Sequence, residues 1–269
     1  MIKKIFKHQV DMSLTMKITL TGLMIALAIL GQKVFALNYL SFAPFLRISI
    51  AGPCVIIFAS IVLGPIYGLC VGAFSDLLGY LIFDPKSYPL YFQITLIYSL
   101  LGFVSYFIYW GIRGIKNKPL LLTIMISLIV AAIIVCTIFM VTHDSITLFS
   151  TTYEIQLYQK ILIPSLLVLL SGGLVLFMIL FDKYKKREND LFSPIQIGFA
   201  SLIIEIFVMV IFGSLMKGWA FGFNTYIVIL ITQIIILFIN VPLNTILLTL
   251  LLRVFIPQLE KRGMNQEEE

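Results

Sequence analysis

Apolar segments of about twenty residues recur along the whole chain and are joined by short polar loops. A bilayer core is about 30 Å thick, so a helix needs about 20 apolar residues to cross it. Backbone groups inside lipid must bond internally, and the period-two alternation of a membrane barrel is absent. With 60% hydrophobic and 12% charged residues, the chain is predicted to be an all-α, polytopic membrane helical bundle.

About eight transmembrane helices are predicted, at residues 17–37, 47–63, 65–83, 91–111, 119–141, 161–181, 194–216 and 224–255. Loops are expected at 38–46 and at 143–159, and a turn at Gly64-Pro65. The last segment is too long for one straight crossing, so it either kinks at Pro242 or extends beyond the bilayer. An even number of spans places both termini on one side of the membrane.

Basic residues are distributed unequally between the two predicted sides. Fourteen fall on the side of the termini, four on the other side, and Lys33 lies inside the first span. Because basic residues are concentrated in cytoplasmic loops, the sequence predicts a multi-pass protein of the cytoplasmic membrane with both termini cytoplasmic. The net charge of +6 therefore reports orientation, and nucleic acid is not expected as a partner.

Enzyme motifs are missing from the sequence. It contains no G-x-x-x-x-G-K-[ST] phosphate loop, no zinc-binding histidine motif and no nucleophile elbow. Its two histidines lie in predicted loops. The three cysteines fall inside apolar segments without paired spacing, which is typical of small buried hydrophobic residues. We therefore expect neither an enzyme nor a cofactor or metal site.

The segment from Arg47 to Phe83 forms two apolar spans with a glycine-rich second half. Gly68 and Gly72 lie four residues apart on one helix face, where they allow close approach of a neighbouring backbone. Asp76 follows on the same helix. A carboxylate inside the bilayer is costly and marks a functional site by default, although Asp76 could instead only hydrogen-bond a neighbouring helix.

Two further polar residues lie near the middle of their predicted spans. Glu205 and Gln233 are each about 14–17 Å from a helix end, as is Asp76. No basic residue is near either acid in the predicted spans, so these acids call for a ligand, a hydrogen-bond donor or a proton. The alternative for Glu205 is a protonated acid bonded to a neighbouring helix.

A second polar set lies closer to the predicted outer surface. Aromatic residues are common at membrane interfaces in any case, but their occurrence together with basic residues suits capture of an aromatic, anionic solute. The members are Lys33, Asn38, Arg47, Tyr88, Tyr91, Gln93, Tyr98, Lys217, Trp219 and Asn224.

Several of these segments together resemble a transporter family. The run Gly64-Pro65, Gly68, Gly72 and Asp76-Leu77-Leu78-Gly79-Tyr80 is similar to the second and third helices of S components of energy-coupling factor (ECF) vitamin transporters, closest to the folate-type group. Gly22-x-x-x-Ala26 resembles the family's small-residue face on helix one, and Val241-Pro242-Leu243-Asn244 resembles its last helix. The resemblance covers about two-thirds of the chain.

The resemblance implies a non-enzymatic, substrate-binding membrane subunit, usually of six helices. Such subunits bind a vitamin near the outer face, below loop one, and dock on a T subunit with two ATPases. The implied T-subunit interface is Thr15, Thr19, Gly22 and Ala26. The implied substrate-binding residues are Lys33, Asn38, Arg47, Asp76, Tyr91, Gln93, Thr95, Tyr98, Trp219, Asn224 and Gln233.

The chain departs from a six-helix S component in three respects. Residues 119–190 read as an inserted two-helix hairpin and basic loop, between helices one to four (1–118) and the last two helices with the acidic tail (191–269). Phe92-Gln93-Ile94-Thr95 keeps only the threonine of the folate-type Pro-Gly-Phe-Thr run. Gln233 stands where many relatives have a basic residue.

These departures leave the substrate and the transport mode open. A folate-like compound is favoured, with Arg47 and Lys33 meeting its carboxylates. Thiamine remains an alternative if Asp76 and Glu205 face the cavity. The alternative function is a stand-alone ion-coupled carrier in which these two acids carry protons, although no inverted repeat supports it.

Overall fold

The computed structural model describes residues 12–40, 43–49, 51–83, 89–148, 151–184 and 193–264. The predicted N-terminal lead-in before residue 12, Tyr88, most of the charge run at 182–190 and the acidic tail lie outside the described residues. The side chains of Asn38, Arg47 and Asn224 also lie outside them, although the backbone at these positions is described.

The described residues form nine α-helices and four β-strands. The helices are α1 (Leu14–Ile29), α2 (Gly52–Leu63), α3 (Pro65–Phe83), α4 (Phe92–Arg113), α5 (Lys118–Thr142), α6 (Leu157–Tyr184), α7 (Pro194–Ile204), α8 (Gly213–Phe221) and α9 (Tyr226–Met264). The strands are β1 (Ala36–Leu40), β2 (Ala43–Ser49), β3 (Ser145–Leu148) and β4 (Thr151–Glu154). Two π-helical stretches, Leu30–Val34 and Glu205–Phe212, continue α1 and α7.

Within the described residues, seven helical segments are long and apolar enough to cross a membrane. The all-α polytopic bundle is therefore confirmed, but the predicted second span is shorter than expected. Helix α2 has 12 residues, or about 18 Å at 1.5 Å per residue, because strand β2 occupies residues 43–49. It begins at Gly52 with a proline in its first turn, a position that proline favours.

Two β-hairpins replace segments that were predicted as loops or helix. Strands β1 and β2 pair antiparallel, with Ala36 opposite Ser49 and Asn38 opposite Arg47. Strands β3 and β4 form a second antiparallel pair, with Ser145 opposite Glu154. The first hairpin connects α1 to α2 and the second connects α5 to α6.

The centre of the bundle is formed by the C-terminal helices. In the most apolar 18-residue stretch of each helix, the share of buried residues is 72% for Pro194–Phe221 and 56% for Tyr226–Phe255. The same share is 28% for both α5 and α6. Helices α5 and α6 pack against each other and against α7 and α9. Their peripheral position is compatible with the predicted insertion, and the division of the chain into three parts stays a prediction.

Glycines allow α3 and α4 to pack backbone against backbone. A Cβ atom on Gly72 would overlap the carbonyl oxygen of Tyr98, and one on Gly102 would overlap the carbonyl oxygen of Gly68. The predicted close approach at Gly68 and Gly72 is therefore present, and α4 is the neighbour. This contact fixes the depth at which the polar residues of the two helices meet.

Helix α9 is one continuous element of 39 residues. At 1.5 Å per residue it is about 58 Å long, roughly twice the bilayer core. The helix runs through Pro242 without ending there. Its length supports extension beyond the bilayer, and a kink at Pro242 stays a prediction.

Candidate functional site

The end of α1 meets the start of α2 at the base of the first hairpin. A Cβ atom on Gly31 would lie 2.6 Å from the backbone nitrogen of Gly52, so both positions need glycine for this approach. Ser49 at the end of β2 donates a hydrogen bond to the carbonyl oxygen of Gly31 at 3.3 Å. These contacts hold the two ends of the hairpin together.

Gln32 projects from the π-helical end of α1 into the interior. Its side chain is buried, and its Nε2 donates to Ser75 Oγ at 3.3 Å, while Ser75 Oγ donates to the carbonyl oxygen of Gly72 at 3.1 Å. Gln32 and Ser75 were not predicted as site residues. Their positions in the sequence could have indicated them, because Gln32 directly precedes Lys33 and Ser75 directly precedes Asp76.

Asp76 and Thr95 join α3 to α4 through a short hydrogen bond. Thr95 Oγ1 donates to Asp76 Oδ2 at 2.6 Å, and both side chains are buried. The structure therefore brings together two residues of the predicted substrate-binding set. Hydrogen bonds to a charged acceptor are short and strong, so a threonine is well suited to hold this carboxylate in place.

Lys33 packs against α3 one helical turn beyond Asp76. The side chain of Lys33 passes over Gly79, where an added Cβ would come within 3.2 Å of Lys33 Cε. Gly79 follows Asp76 by three residues, which is about one helical turn. A basic group and an acidic group thus approach the same surface of α3, next to the Gln32–Ser75 contact.

Two aromatic side chains pack at the N-terminus of α4. Tyr91 is the N-cap residue of α4, and the centre of its ring lies 4.7 Å from that of Phe221 in an edge-to-face arrangement. Gln93 and Tyr98 are half-buried on α4. Trp219 is 63% exposed, so it does not join this aromatic pair and has the exposure of an interfacial aromatic residue.

A second buried polar cluster surrounds Glu205, where the π-helical stretch begins. Asn244 Nδ2 on α9 donates to Glu205 Oε1 at 3.2 Å, and the Asn240 side chain also hydrogen-bonds this carboxylate. Lys217 is close enough for its charge to interact with Glu205. The expectation that no basic residue lies near Glu205 is wrong, because Lys217, twelve residues further along the same continuous helical segment, interacts with it through its charge.

Gln233 is buried on α9, but it precedes Asn240 by seven residues, about two turns. The hydrogen bonds of Glu205 come from Asn244 and Asn240 instead. Gln233 therefore lies closer to the start of α9, where α9 contacts α8. The three polar residues predicted at mid-depth, Asp76, Glu205 and Gln233, thus do not form a single cluster among the described contacts.

The predicted T-subunit interface forms one exposed stripe on α1. Thr15, Thr19, Gly22 and Ala26 are all exposed, whereas residues on the opposite side of the helix, such as Met24 and Ala28, are buried. A Cβ atom on Gly22 would meet nothing within 4 Å. A larger side chain at Gly22 would therefore not disturb contacts inside the described part of the chain.

A family model described as ECF transporter, substrate-specific component matches residues 16–181, more than half of the chain. The chain belongs to this family. As an S component, it is the substrate-binding subunit of an ECF transporter, it works with T and ATPase subunits on a small-molecule substrate, and it is not an enzyme. No curated protein and no solved structure matches the chain.

The matched range of the S-component family includes α1 from residue 16, the first hairpin and α2 to α4, and thus Gln32, Ser75, Asp76 and Thr95. It also runs through α5 and nearly all of α6, the two helices that were expected to be an insertion.

Proposed function

We propose that this S component binds a vitamin-sized aromatic compound, with a folate-like solute favoured, at the end of the bundle that carries the first hairpin. The observation that carries the proposal is the buried Asp76–Thr95 hydrogen bond, one helical turn from the Tyr91–Phe221 ring pair. Polar groups held in fixed positions beside aromatic walls are typical of small-molecule sites.

The proposed substrate-binding residues remain those of the sequence analysis, with Gln32 and Ser75 added as positioning residues. Gln32 contacts Ser75, the neighbour of Asp76, and it belongs to the π-helical stretch directly before strand β1. The hairpin thus starts from a residue that is hydrogen-bonded beside the proposed site, which suits a segment that closes over a bound solute.

We further propose that the exposed stripe of α1 packs against the T subunit and that both termini are cytoplasmic. The stripe is exposed and open, as a face reserved for another subunit needs to be. Small residues allow close helix packing in lipid. The orientation rests on the unequal distribution of basic residues.

Titration of the purified protein with folate, riboflavin, thiamine, pantothenate, nicotinate and pyridoxal tests the proposed substrate class. We expect thermal stabilisation and calorimetric binding with folate or another aromatic compound of the set. Binding of pantothenate alone, or of none of the six, would contradict the aromatic assignment.

The sign of the substrate's charge is tested by two substitutions. If the bound compound is anionic, Arg47→Ala should weaken binding by about 2–5 kcal/mol for a buried pair, and Asp76→Asn should matter less. Loss of binding in Asp76→Asn with unchanged binding in Arg47→Ala would instead indicate a cationic substrate such as thiamine.

A further inference from the structure

Lys217 lies on the side of α8 that faces α4. Gly213, Lys217 and Phe221 follow at intervals of four residues, so they share one side of the helix. A Cβ on Gly213 would lie 3.8 Å from the side chain of Ile97, and Phe221 contacts Tyr91. Lys217 is therefore held between these two contacts, opposite the stretch of α4 that contains Thr95.

The ammonium group of Lys217 has no direct partner within the described part of the chain. Its side chain is half-buried, it forms no hydrogen bond or ion pair there, and its charge interacts with Glu205 at longer range. Burial of a charge is costly unless the group is paired. A positive group in this position therefore favours a negative partner that binds beside it.

Glu205 does not depend on Lys217 for hydrogen bonding. Asn244 and Asn240 on α9 already bond its carboxylate. Glu205 and Lys217 interact through their charges, and this interaction leaves the three N–H donors of the ammonium available. An anionic group of a solute could bind these donors without breaking a hydrogen bond of Glu205.

We propose that Lys217 binds the carboxylate of an aromatic acid whose ring packs at Tyr91 and Phe221. The proposal rests on the proposed function and narrows it in two ways. It sets the substrate class as aromatic carboxylates rather than neutral or cationic aromatic compounds. It also adds Lys217 on α8 to Arg47 and Lys33 as a residue that contacts the anionic group. Glu205 is the counter-ion of Lys217 in the empty protein.

The test compares aromatic acids with their amides, so that both members of each pair have the same ring and differ only in charge. Nicotinate with nicotinamide and 4-aminobenzoate with 4-aminobenzamide are titrated into the purified full-length protein at constant ionic strength, together with folate and thiamine. We expect the acid of at least one pair, or folate, to bind at least tenfold more tightly than the neutral partner or thiamine. Equal affinity within the pairs, preference for thiamine, or no binding by any of these compounds would overturn the proposal.

Two variants locate the contact. Lys217→Met keeps the length and apolar character of the side chain, and should weaken binding of the preferred acid about tenfold to hundredfold, the loss expected for one hydrogen bond to a charged group. Lys160→Met is the matched control, because Lys160 pairs with Asp144 beside the second hairpin. An equal affinity of the Lys217→Met variant and the wild type would contradict the assignment.

The acid and amide titrations of the unmodified protein test the proposal even if Lys217→Met fails to fold. A third variant, Glu205→Gln, replaces the counter-ion with a neutral amide of the same shape, so binding of the acid should be retained or become tighter. Loss of acid binding in Glu205→Gln would contradict the counter-ion role. Co-purification of the T subunit, measured on the same preparations, separates failure of this proposal from failure of the S-component function.

Discussion

Thr95 Oγ1 donates a 2.6 Å hydrogen bond to Asp76 Oδ2 in the buried contact between α4 and α3. The bond is possible because Gly72 lies one turn earlier on α3 and lets the two backbones approach closely. The packing of the bundle and the chemistry of the candidate site are thus determined by the same pair of helices.

Removal of the Thr95 hydroxyl should destabilise the protein. Thr95→Val keeps the shape of the side chain but leaves the buried Asp76 carboxylate without this donor, at a cost of about 1.5–3 kcal/mol. The measurement is thermal unfolding of the purified protein in detergent. Thr123→Val is the control, because Thr123 is exposed and bonds only the carbonyl of Pro119 on its own helix. A similar change in both variants would contradict a special role of Thr95.

A methyl group at Gly102 should disturb the contact between α3 and α4. Because a Cβ there would overlap the Gly68 carbonyl oxygen, Gly102→Ala should cost about 1–3 kcal/mol through overpacking. Gly111→Ala on the same helix is the control, since nothing lies within 4 Å of its Cβ position. Equal unfolding temperatures of the two variants would show that the helices are not in backbone contact.

A large side chain on the exposed stripe of α1 should block assembly without affecting substrate binding. Gly22→Leu and Ala26→Leu should reduce co-purification of the T subunit, because close packing of small residues is lost. Gly173→Leu on α6 is the matched control, as its Cβ position is also open. If both α1 variants assemble like the wild type, the stripe is not the T-subunit interface.

The ion pair beside the second hairpin should contribute little to stability. Lys160 donates a 2.7 Å hydrogen bond to Asp144, which lowers the pKa of Asp144 from its ordinary value of 3.8. A lowered pKa stabilises the folded state above pH 3.8, and this contribution is lost as pH falls through the depressed pKa. Because Asp144 is exposed, Lys160→Met should leave the unfolding temperature at pH 7 nearly unchanged. A clear decrease would contradict this expectation.

The sequence was sufficient to predict the helical bundle and an acid, Asp76, on one of its spans; the role of Asp76 in substrate binding stays a prediction. Long apolar segments have few alternatives in lipid, and an acid among glycines is conspicuous because of its cost. The two hairpins were missed, since strands of four to seven residues with apolar side chains resemble the flanks of a span. Residues 43–49 were accordingly assigned in part to the second helix.

The partners of Glu205 could not be predicted from the sequence. Asn240 and Asn244 come close to it only when α9 packs back along the continuous helical segment Pro194–Phe221. Lys217 follows Glu205 by twelve residues, and the π-helical stretch between them changes which residues share a face of the helix. Gln32 was missed for a similar reason, because a π-helical turn directs it toward Ser75.

Co-purification with the other transporter subunits tests the account most directly. The tagged chain is co-expressed with a T subunit and two ATPases, purified in mild detergent and reconstituted in liposomes. We predict that all three subunits co-purify with it and that uptake of the bound compound requires ATP. Proton-driven uptake by the chain alone, with no association of the T subunit or the ATPases, would contradict the account.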